Sequence, residues 1–204
     1  MGIDSLAIDF PYSKEELFEK VISFDPLTNN KLDRIYKVKK SLFSLPLTYM
    51  GYSGYLNPIT LEAHVNSKIP KISFITTILH ETAHQIGYAS EKEANFIAFF
   101  SAINNEDPYV QYAGYIFAIR YCYGDLLLAD REKAIKLIEN LNSGIVKNIR
   151  NINLFWLDYE NPFKPIFKKT YDGYLKANGQ KSGIVSYNEM VGLVVNYHKK
   201  YIKE

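Results

Sequence analysis

The segment PKISFITTILHETAHQI, residues 70–86, constrains the fold of this chain more than any other stretch. It predicts a single helix, because Pro70 suits the first turn of a helix and Gly87 suits the left-handed residue that follows the last turn. The segment is strongly apolar in its first half and carries imidazoles and a carboxylate in its second half. We expect these polar groups to be partly buried, which is costly unless they have partners.

The polar half of this helix contains the pattern His-Glu-Thr-Ala-His. Residues four apart lie on one face of a helix, so His80 and His84 present two imidazoles to the same point, as two ligands of a Zn²⁺ ion do. Glu81 is rotated by about 100° from His80 and is expected to bond to an activated water rather than to the metal. This is the HExxH arrangement of zinc metallopeptidases. The alternative is a surface pair of histidines that contacts Glu81.

A catalytic zinc site needs a third protein ligand and an open position. No third histidine follows closely, so the metzincin pattern is absent, and the carboxylates Glu91 and Glu93 are the candidates. A helix that begins at Ser90 points them about 200° apart, and Glu93 occupies the capping-box position, which leaves Glu91 for the metal. Asn95, one turn after Glu91, is then expected to bond near the metal. A shift of the helix start by one residue makes Glu93 the better candidate.

The rest of the chain predicts a mainly α fold of the α+β class, with a small β-hairpin next to the HExxH helix. The stretch LTYMGYSGYLNPITLEAHVNS is rich in Tyr, Thr and Val, and Asn57-Pro58 marks a turn between strands at about 48–56 and 60–66. Capping signals mark several helix starts, at Ser13, Asp107, Asp130 and Ser186. The predicted helices cover about 13–24, 30–45 (ending before Pro46), 70–86, 90–104, 107–128, 130–142, 144–157, 162–177 and 186–202.

A chain of 204 residues suits a single domain. We divide it into N-terminal helices (1–45), a central part with the hairpin and the two helices of the candidate site (46–104), and a C-terminal helical part (105–204). The net charge is +2 and no basic face stands out, so we expect no nucleic-acid partner. The single cysteine, Cys122, excludes an internal disulfide and a Cys-rich zinc site, and we expect it to be a small buried residue.

Two resemblances bear on this site. The string EKEAN, residues 91–95, resembles gluzincin families, in which a helix bearing Glu-x-x-Ala-Asp or Glu-x-x-Ala-Asn follows HExxH. That resemblance implies that Glu91 is the third zinc ligand and that the chain is a zincin-like helical domain. Over most of residues 50–190, the chain also resembles an uncharacterised bacterial domain-of-unknown-function family with an HExxH motif. The matching stretches are SGYLNPITLEAHVN, HETAHQIGYASEKEANFIAF, YAGYIFAIRY and YLKANGQKSGIVSY.

The second resemblance also concerns the membrane. Members of that bacterial family usually carry transmembrane helices before this domain, whereas this sequence has no apolar run of about 18 residues. Its N-terminus also lacks the basic and apolar regions of a signal peptide. The resemblance therefore implies the soluble domain of a bacterial membrane-anchored protein, with membrane contact only through segments outside this sequence.

Together these patterns predict a zinc-dependent metallopeptidase whose partner is a peptide or protein substrate. The metal activates a water molecule, and Glu81 is the general base. Tyr112 and Arg120, two turns apart on one helix face, are open candidates for the oxyanion donor, and Arg120 is also expected to pair with a buried acid. The hairpin around Tyr55 is a candidate edge strand for an extended peptide. Two alternatives remain: a zinc hydrolase of a non-peptide amide or ester, and a non-catalytic metal-binding sensor or scaffold.

Overall fold

One long apolar helix organises the fold. The computed structural model of the protein describes residues 7–22, 38–177, 179 and 189–201. The described helices are α1 (Lys14–Ile22), α2 (Ser44–Met50), α3 (Lys71–Gln85), α4 (Glu91–Ile103), α5 (Pro108–Ala129), α6 (Arg131–Asn140), α7 (Ser143–Asp158), α8 (Lys164–Ala177) and α9 (Met190–Tyr201). The described strands are β1 (Val38–Lys40), β2 (Gly54–Leu56) and β3 (Ala63–Val65). The fold is therefore mainly helical with one small sheet, as the sequence predicted.

Helix α3 lies in the middle of the molecule, and ten of its fifteen residues are buried. It packs against α1, α4, α5 and the sheet, so its apolar half forms the centre of the main core. Fully buried side chains of this core include Leu17, Val65, Phe74, Ile78 and Ile116. A helix that is apolar on all sides is stable only in such a central position. Its polar second half is consequently held between other elements.

The sheet covers one side of α3. Its strand order is β1-β3-β2, with β1 parallel and β2 antiparallel to the central strand β3. Side chains alternate between the two faces of a strand, and Ala63 and Val65 point into the core. His64 lies on the other face, where its ring stacks on Tyr55 at a centroid distance of 4.8 Å. β2 is thus an edge strand of the described sheet, and its backbone at Gly54 approaches the polar half of α3.

The predicted helix at 30–45 is wrong in its described part. Residues 23–37 lie outside the described residues, but Val38–Lys40 forms β1 and pairs with β3. The helix in this region, α2, begins later, at Ser44, and contains Pro46 instead of ending before it. Proline is tolerated in a first helical turn, because the amide there has no acceptor within the helix. The sequence VKK has no alternating pattern, so its pairing with β3 decides its conformation.

The predicted hairpin is present with shorter strands. β2 and β3 pair antiparallel, and the side chain of Asn57 accepts hydrogen bonds from the amides of Ile59 and Thr60 in the turn. Residues 48–50, predicted as strand, belong to α2 instead. The hairpin packs against α3, as predicted.

The capping signals near α1, α5 and α6 act as predicted. Ser13 and Glu16 exchange the two hydrogen bonds of a capping box at the start of α1. Asp107 and Asp130 accept hydrogen bonds from backbone amides in the first turns of α5 and α6. Short-range chemistry therefore fixes where these helices begin.

Two predictions concern the C-terminal part. The described helix α9 begins at Met190, and the predicted helix start at Ser186 lies outside the described residues. Cys122 is only partly buried, beside a small cluster formed by α4, α5 and α9, and burial raises the pKa of its thiol. Among the described helices, none is both long and apolar enough to cross a bilayer.

Candidate metal centre

The two histidines of α3 and the first residue of α4 bring three possible ligand atoms together. The Nε2 atoms of His80 and His84 lie 3.1 Å apart, and Glu91 Oε2 lies 3.2 Å from the first and 3.6 Å from the second. Ligand atoms held about 2.1 Å from a tetrahedral ion lie about 3.4 Å from one another. The three atoms therefore fit one metal ion, and two imidazoles with a carboxylate form a donor set that zinc accepts.

A tight turn after α3 makes this arrangement possible. Gly87 has a left-handed φ of 107°, and its amide bonds to the carbonyl of His84 at 3.1 Å. The amide of Tyr88 bonds to the carbonyl of Ala83 at 3.1 Å. These are the two hydrogen bonds of a Schellman motif, whose left-handed position favours glycine. The chain therefore reverses at Gly87, as predicted, and α4 starts with Glu91 close to α3.

The same turn orients one imidazole. His84 Nδ1 lies 2.7 Å from the carbonyl oxygen of Tyr88. A carbonyl oxygen can only accept, so Nδ1 carries a proton, and in the neutral ring Nε2 keeps the lone pair that a metal needs. Burial lowers the pKa of His84, but the carboxylates of Glu91 and Glu81 raise it more, and the net shift is upward. A metal ion binding here would displace the proton on Nε2.

Glu91 is held by its place at the start of α4 and by a helix distant in sequence. The residue is 4% exposed, and its Oε1 accepts a hydrogen bond of 3.1 Å from the hydroxyl of Tyr171 on α8. Burial raises the pKa of Glu91, but hydrogen bonds from His80 and His84 lower it more, to well below its ordinary range. Glu91 is therefore ionised, which is the form that binds a metal.

Glu81 adjoins the three donor atoms without being one of them. A Cβ atom on Gly54 would lie 2.7 Å from Glu81 Oε1 and 2.8 Å from the backbone oxygen of His64, so only glycine fits at that position of β2. Burial raises the pKa of Glu81 to about 7, against the lowering effect of His80 and His84. A carboxyl group with such a pKa accepts a proton near neutral pH and releases it again.

The comparison with known proteins identifies a family. The sequence profile of the family described as protein of unknown function (DUF3810) matches residues 13–195. The chain belongs to the DUF3810 family. No curated protein and no solved structure matches the chain. The DUF3810 description assigns no activity.

In this DUF3810 chain, the predicted ligands and the predicted base come together. Within the described residues, the two histidines and Glu91 form a group that could hold a metal ion, and Glu81 adjoins it. Glu93, the competing carboxylate, is exposed to solvent. The predicted capping box is wrong, since the Ser90 side chain makes no capping hydrogen bond. The rotation of α4 by itself separates the two carboxylates.

Asn95 borders the site, as its position one turn after Glu91 predicted. It is 2% exposed and lies beside Tyr121. Burial raises the pKa of Tyr121 to about 12, the charge of Glu91 adds to the rise, and Asn95 opposes it. The Nδ2 atom of Asn95 has no hydrogen-bond partner among the residues that the structure describes. The side chain of Asn95 hydrogen-bonds with Tyr121, and its predicted role beside the metal stays a prediction.

The two candidate oxyanion donors have different surroundings. Tyr112 is engaged in the main core, where its hydroxyl accepts a hydrogen bond of 2.9 Å from Asn148 and its ring packs near Phe10. Arg120 lines a cavity along α3 and donates a hydrogen bond of 3.5 Å to Asn153. In the described part of the chain it pairs with no carboxylate, so the predicted buried acid pair is wrong there. Neither residue contacts the three ligand atoms.

Sequence reasoning missed three contributors to the site. Tyr171 lies 80 positions from Glu91, and no local pattern relates residues at that distance. The carbonyl of Tyr88 follows from the Schellman motif at Gly87, a signal that was visible. Gly54 was visible too, because a glycine inside a strand often marks a close approach of another group.

Proposed function

We propose that this chain is a zinc-dependent hydrolase that cleaves peptide bonds. The observation that carries the proposal is the convergence of three ligand atoms with Glu81 buried beside them and not among them. A purely structural zinc site uses four protein ligands, whereas a catalytic site uses three and keeps a position for water or substrate. A structural site also has no need of an adjacent base.

Each side chain has a defined role in this proposal. A bound zinc ion supplies a Lewis acid that polarises a carbonyl group and activates water. Glu81 would accept the proton of that water and pass it to the leaving amine, because it lies beside the three ligand atoms and is not one of them. The carbonyl of Tyr88 orients His84, and the hydroxyl of Tyr171 orients Glu91. Such hydrogen bonds fix the direction of ligand lone pairs.

The position of β2 supports a peptide as the substrate. In the described sheet β2 pairs only with β3, and its residue Gly54 adjoins Glu81. The unpaired backbone groups of an edge strand bind an extended peptide by adding one strand. A peptide added to β2 in this way would run past the base.

The test combines metal content with turnover. The purified protein is expected to contain about one zinc ion per chain and to cleave members of a fluorogenic peptide library. Cleavage is expected to stop when a chelator is added. Glu81→Gln is expected to keep the metal and lose most of the turnover, because an amide cannot accept the proton. The matched control is Glu93→Gln, which changes an exposed carboxylate nearby and is expected to keep both properties.

Two results would contradict this proposal. The metal site is wrong if elemental analysis finds no transition metal and the protein takes up no zinc at neutral pH. The role of Glu81 is wrong if Glu81→Gln cleaves a confirmed substrate as fast as the unaltered protein. Zinc uptake with hydrolysis of a non-peptide amide or ester, and of no peptide, would contradict only the substrate class.

A further inference from the structure

A polar cavity lies along α3 next to the candidate metal centre. Its volume is about 460 Å³, and α3 contributes Ser73, Thr76 and Thr77 to its wall. Thr76 precedes His80 by four residues, so the two share one helix face. Four residues of helix rise by about 6 Å. The cavity therefore begins about one helical turn from the imidazoles.

Thr77 marks the boundary between the cavity and the site. Its methyl group and Glu81 Oε1 lie 2.8 Å and 2.7 Å from the same point, the position that a Cβ atom on Gly54 would take. Ser53, the neighbour of Gly54, also lines the cavity. A peptide that follows β2 past Glu81 thus reaches the mouth of the cavity within one or two residues.

The walls opposite α3 are cationic. Arg120 of α5 and Lys164 and Lys168 of α8 line the cavity, and its lining contains no acidic residue. Lys164 is paired with Glu160 at 2.6 Å. Neither Arg120 nor Lys168 contacts a carboxylate within the described part of the chain. The cavity therefore has two positive charges that are not neutralised by described neighbours.

Two groups that line the cavity, one on α3 and one on α5, lack good partners. Ser73 is 8% exposed, and its Oγ has no hydrogen-bond partner among the described residues. Burial lowers the pKa of Arg120, and its hydrogen bond to Asn153 is long, at 3.5 Å. A buried hydroxyl and a half-buried guanidinium both raise the free energy of the folded state unless something bonds to them. An anion in the cavity would bond to both.

We infer that this cavity binds a carboxylate of the substrate, within about three residues of the bond that is cleaved. The fork of Arg120 matches the two oxygens of a carboxylate, Lys168 adds charge, and the Ser73 hydroxyl donates. Ser73 and His80 are separated by about 10 Å along α3, which three extended residues span. The carboxylate belongs either to the C-terminus of the peptide or to an Asp or Glu side chain.

Because this assignment deepens the proposed peptide hydrolysis and rests on it, the test uses binding without turnover. Metal-free protein is titrated in a calorimeter at about 0.15 M ionic strength. The first pair of probes is N-acetyl-Leu-Leu with a free C-terminus and its C-terminal amide. The second pair is N-acetyl-Glu amide and N-acetyl-Gln amide. In at least one pair, the acid is expected to bind at least about tenfold more tightly than its neutral partner.

Two substitutions locate the bound carboxylate. Lys168→Gln is expected to weaken binding of the acid about tenfold, and the matched control Lys169→Gln removes a neighbouring exposed charge that does not line the cavity. Ser73→Ala is expected to weaken binding of the acid probe and to leave binding of the neutral probe unchanged. The side chains of Lys168 and Ser73 can be shortened without disturbing the core, so the test does not depend on replacing the half-buried Arg120.

The outcomes separate this assignment from the proposed hydrolysis. Discrimination within one probe pair identifies the source of the carboxylate and supports the assignment. Equal binding of acid and neutral probes in both pairs overturns it, and so does equal weakening by Lys168→Gln and Lys169→Gln. A protein that fails the zinc and turnover test but passes this one retains an anion site and loses only the proposed hydrolysis.

Discussion

Glu91 and Glu93 are two residues apart in the chain and have opposite surroundings. Glu91 is 4% exposed and lies within 3.6 Å of both imidazoles, whereas Glu93 faces solvent. Each residue of a helix is rotated by about 100° from the one before it, so two residues are turned about 200° apart. We therefore expect the two carboxylates to differ in their effect on metal binding.

Alanine substitution tests this difference. Glu91→Ala is expected to lower zinc affinity by more than the roughly 10–100-fold that loss of an outer partner causes, because a direct ligand is removed. Glu93→Ala is expected to keep zinc affinity and to change the free energy of unfolding by less than about 0.5 kcal/mol, since it neither binds nor caps. Competition with a chromophoric chelator and urea unfolding measure the two effects. Loss of zinc in Glu93→Ala alone would show that the assignment is reversed.

At the scale of elements, α5 carries two glycines with different neighbours. A Cβ atom on Gly114 would lie 2.6 Å from Ala102 Cβ on α4, whereas nothing lies within 4 Å of the same position on Gly124. The close approach of α4 and α5 therefore depends on Gly114, while Gly124 only weakens the helix.

The same substitution at both sites is expected to have opposite effects. Gly114→Ala should lower the free energy of unfolding by about 1–3 kcal/mol through overpacking. Gly124→Ala should raise it by about 0.5–1 kcal/mol, because alanine loses less backbone entropy in a helix. Urea unfolding of the two variants is the measurement, and a shift of the same sign in both would count against the packing described here.

The start of α5 makes the stability of the fold depend on pH. Asp107 receives hydrogen bonds from the amides of Tyr109 and Val110, and Tyr12 Oη and Lys20 Nζ each lie 2.9 Å from its Oδ2. Burial raises the pKa of Asp107, but its bonds to Lys20, Tyr12 and the backbone lower it more. The folded state therefore releases this proton more readily than the unfolded state does.

The sign of the effect follows from this lowered pKa. The contribution of ionised Asp107 to the free energy of unfolding is fully present above the unfolded-state pKa of about 4. It is lost as the pH falls through the lower folded-state pKa, because the unfolded state binds more protons over that range. Asp107→Asn is expected to be less stable at pH 7 and to lose less further stability in acid. Urea unfolding at pH 7 and at acid pH tests this, with Asp130→Asn, a more exposed cap, as control. The prediction is contradicted if Asp107→Asn and the unaltered protein lose the same free energy of unfolding between pH 7 and acid pH.

Elements set by local chemistry were predictable, and those set by distant partners were not. Ser13 and Asp107 act on amides within three residues, and Gly87 acts on the turn that contains it, so sequence signals placed these helix ends. Strand β1 exists because it pairs with β3, more than twenty positions later. The link from Tyr171 to Glu91 spans 80 positions. Patterns of a few residues carry no information about such pairings.

At the scale of the whole molecule, the candidate site joins the central helices to the C-terminal part. Glu91 on α4 receives its hydrogen bond from Tyr171, while α8 also packs against the small helix α2 and against Tyr52, whose ring lies on that of Tyr171 and whose hydroxyl donates a hydrogen bond to the carbonyl of Phe167. Helices with little buried packing open more readily than core helices. Anything that immobilises Glu91 is therefore expected to stabilise α8 as well as α3 and α4.

Hydrogen exchange with and without zinc tests this coupling. Zinc at 100 times its Kd is expected to add about 2.7 kcal/mol to the stability of the folded state and to slow amide exchange in α3, α4 and α8. Tyr171→Phe should remove the slowing in α8 and leave it in α3, whereas Tyr115→Phe, which changes an exposed ring, should alter neither. Undiminished protection of α8 in Tyr171→Phe would show that the coupling runs through other contacts.

All three ligand atoms come from residues 80–91, a stretch of twelve residues. Closing so short a loop costs little chain entropy, and contacts of short sequence separation form early in folding. In the presence of zinc, we therefore expect the turn at Gly87 to form first during folding. Pairing of β1 with β3 and the hydrogen bond from Tyr171 to Glu91 are expected to form later. In that order of assembly, the metal acts as a nucleus for the centre of the molecule, and α8 docks last onto a site that is already formed.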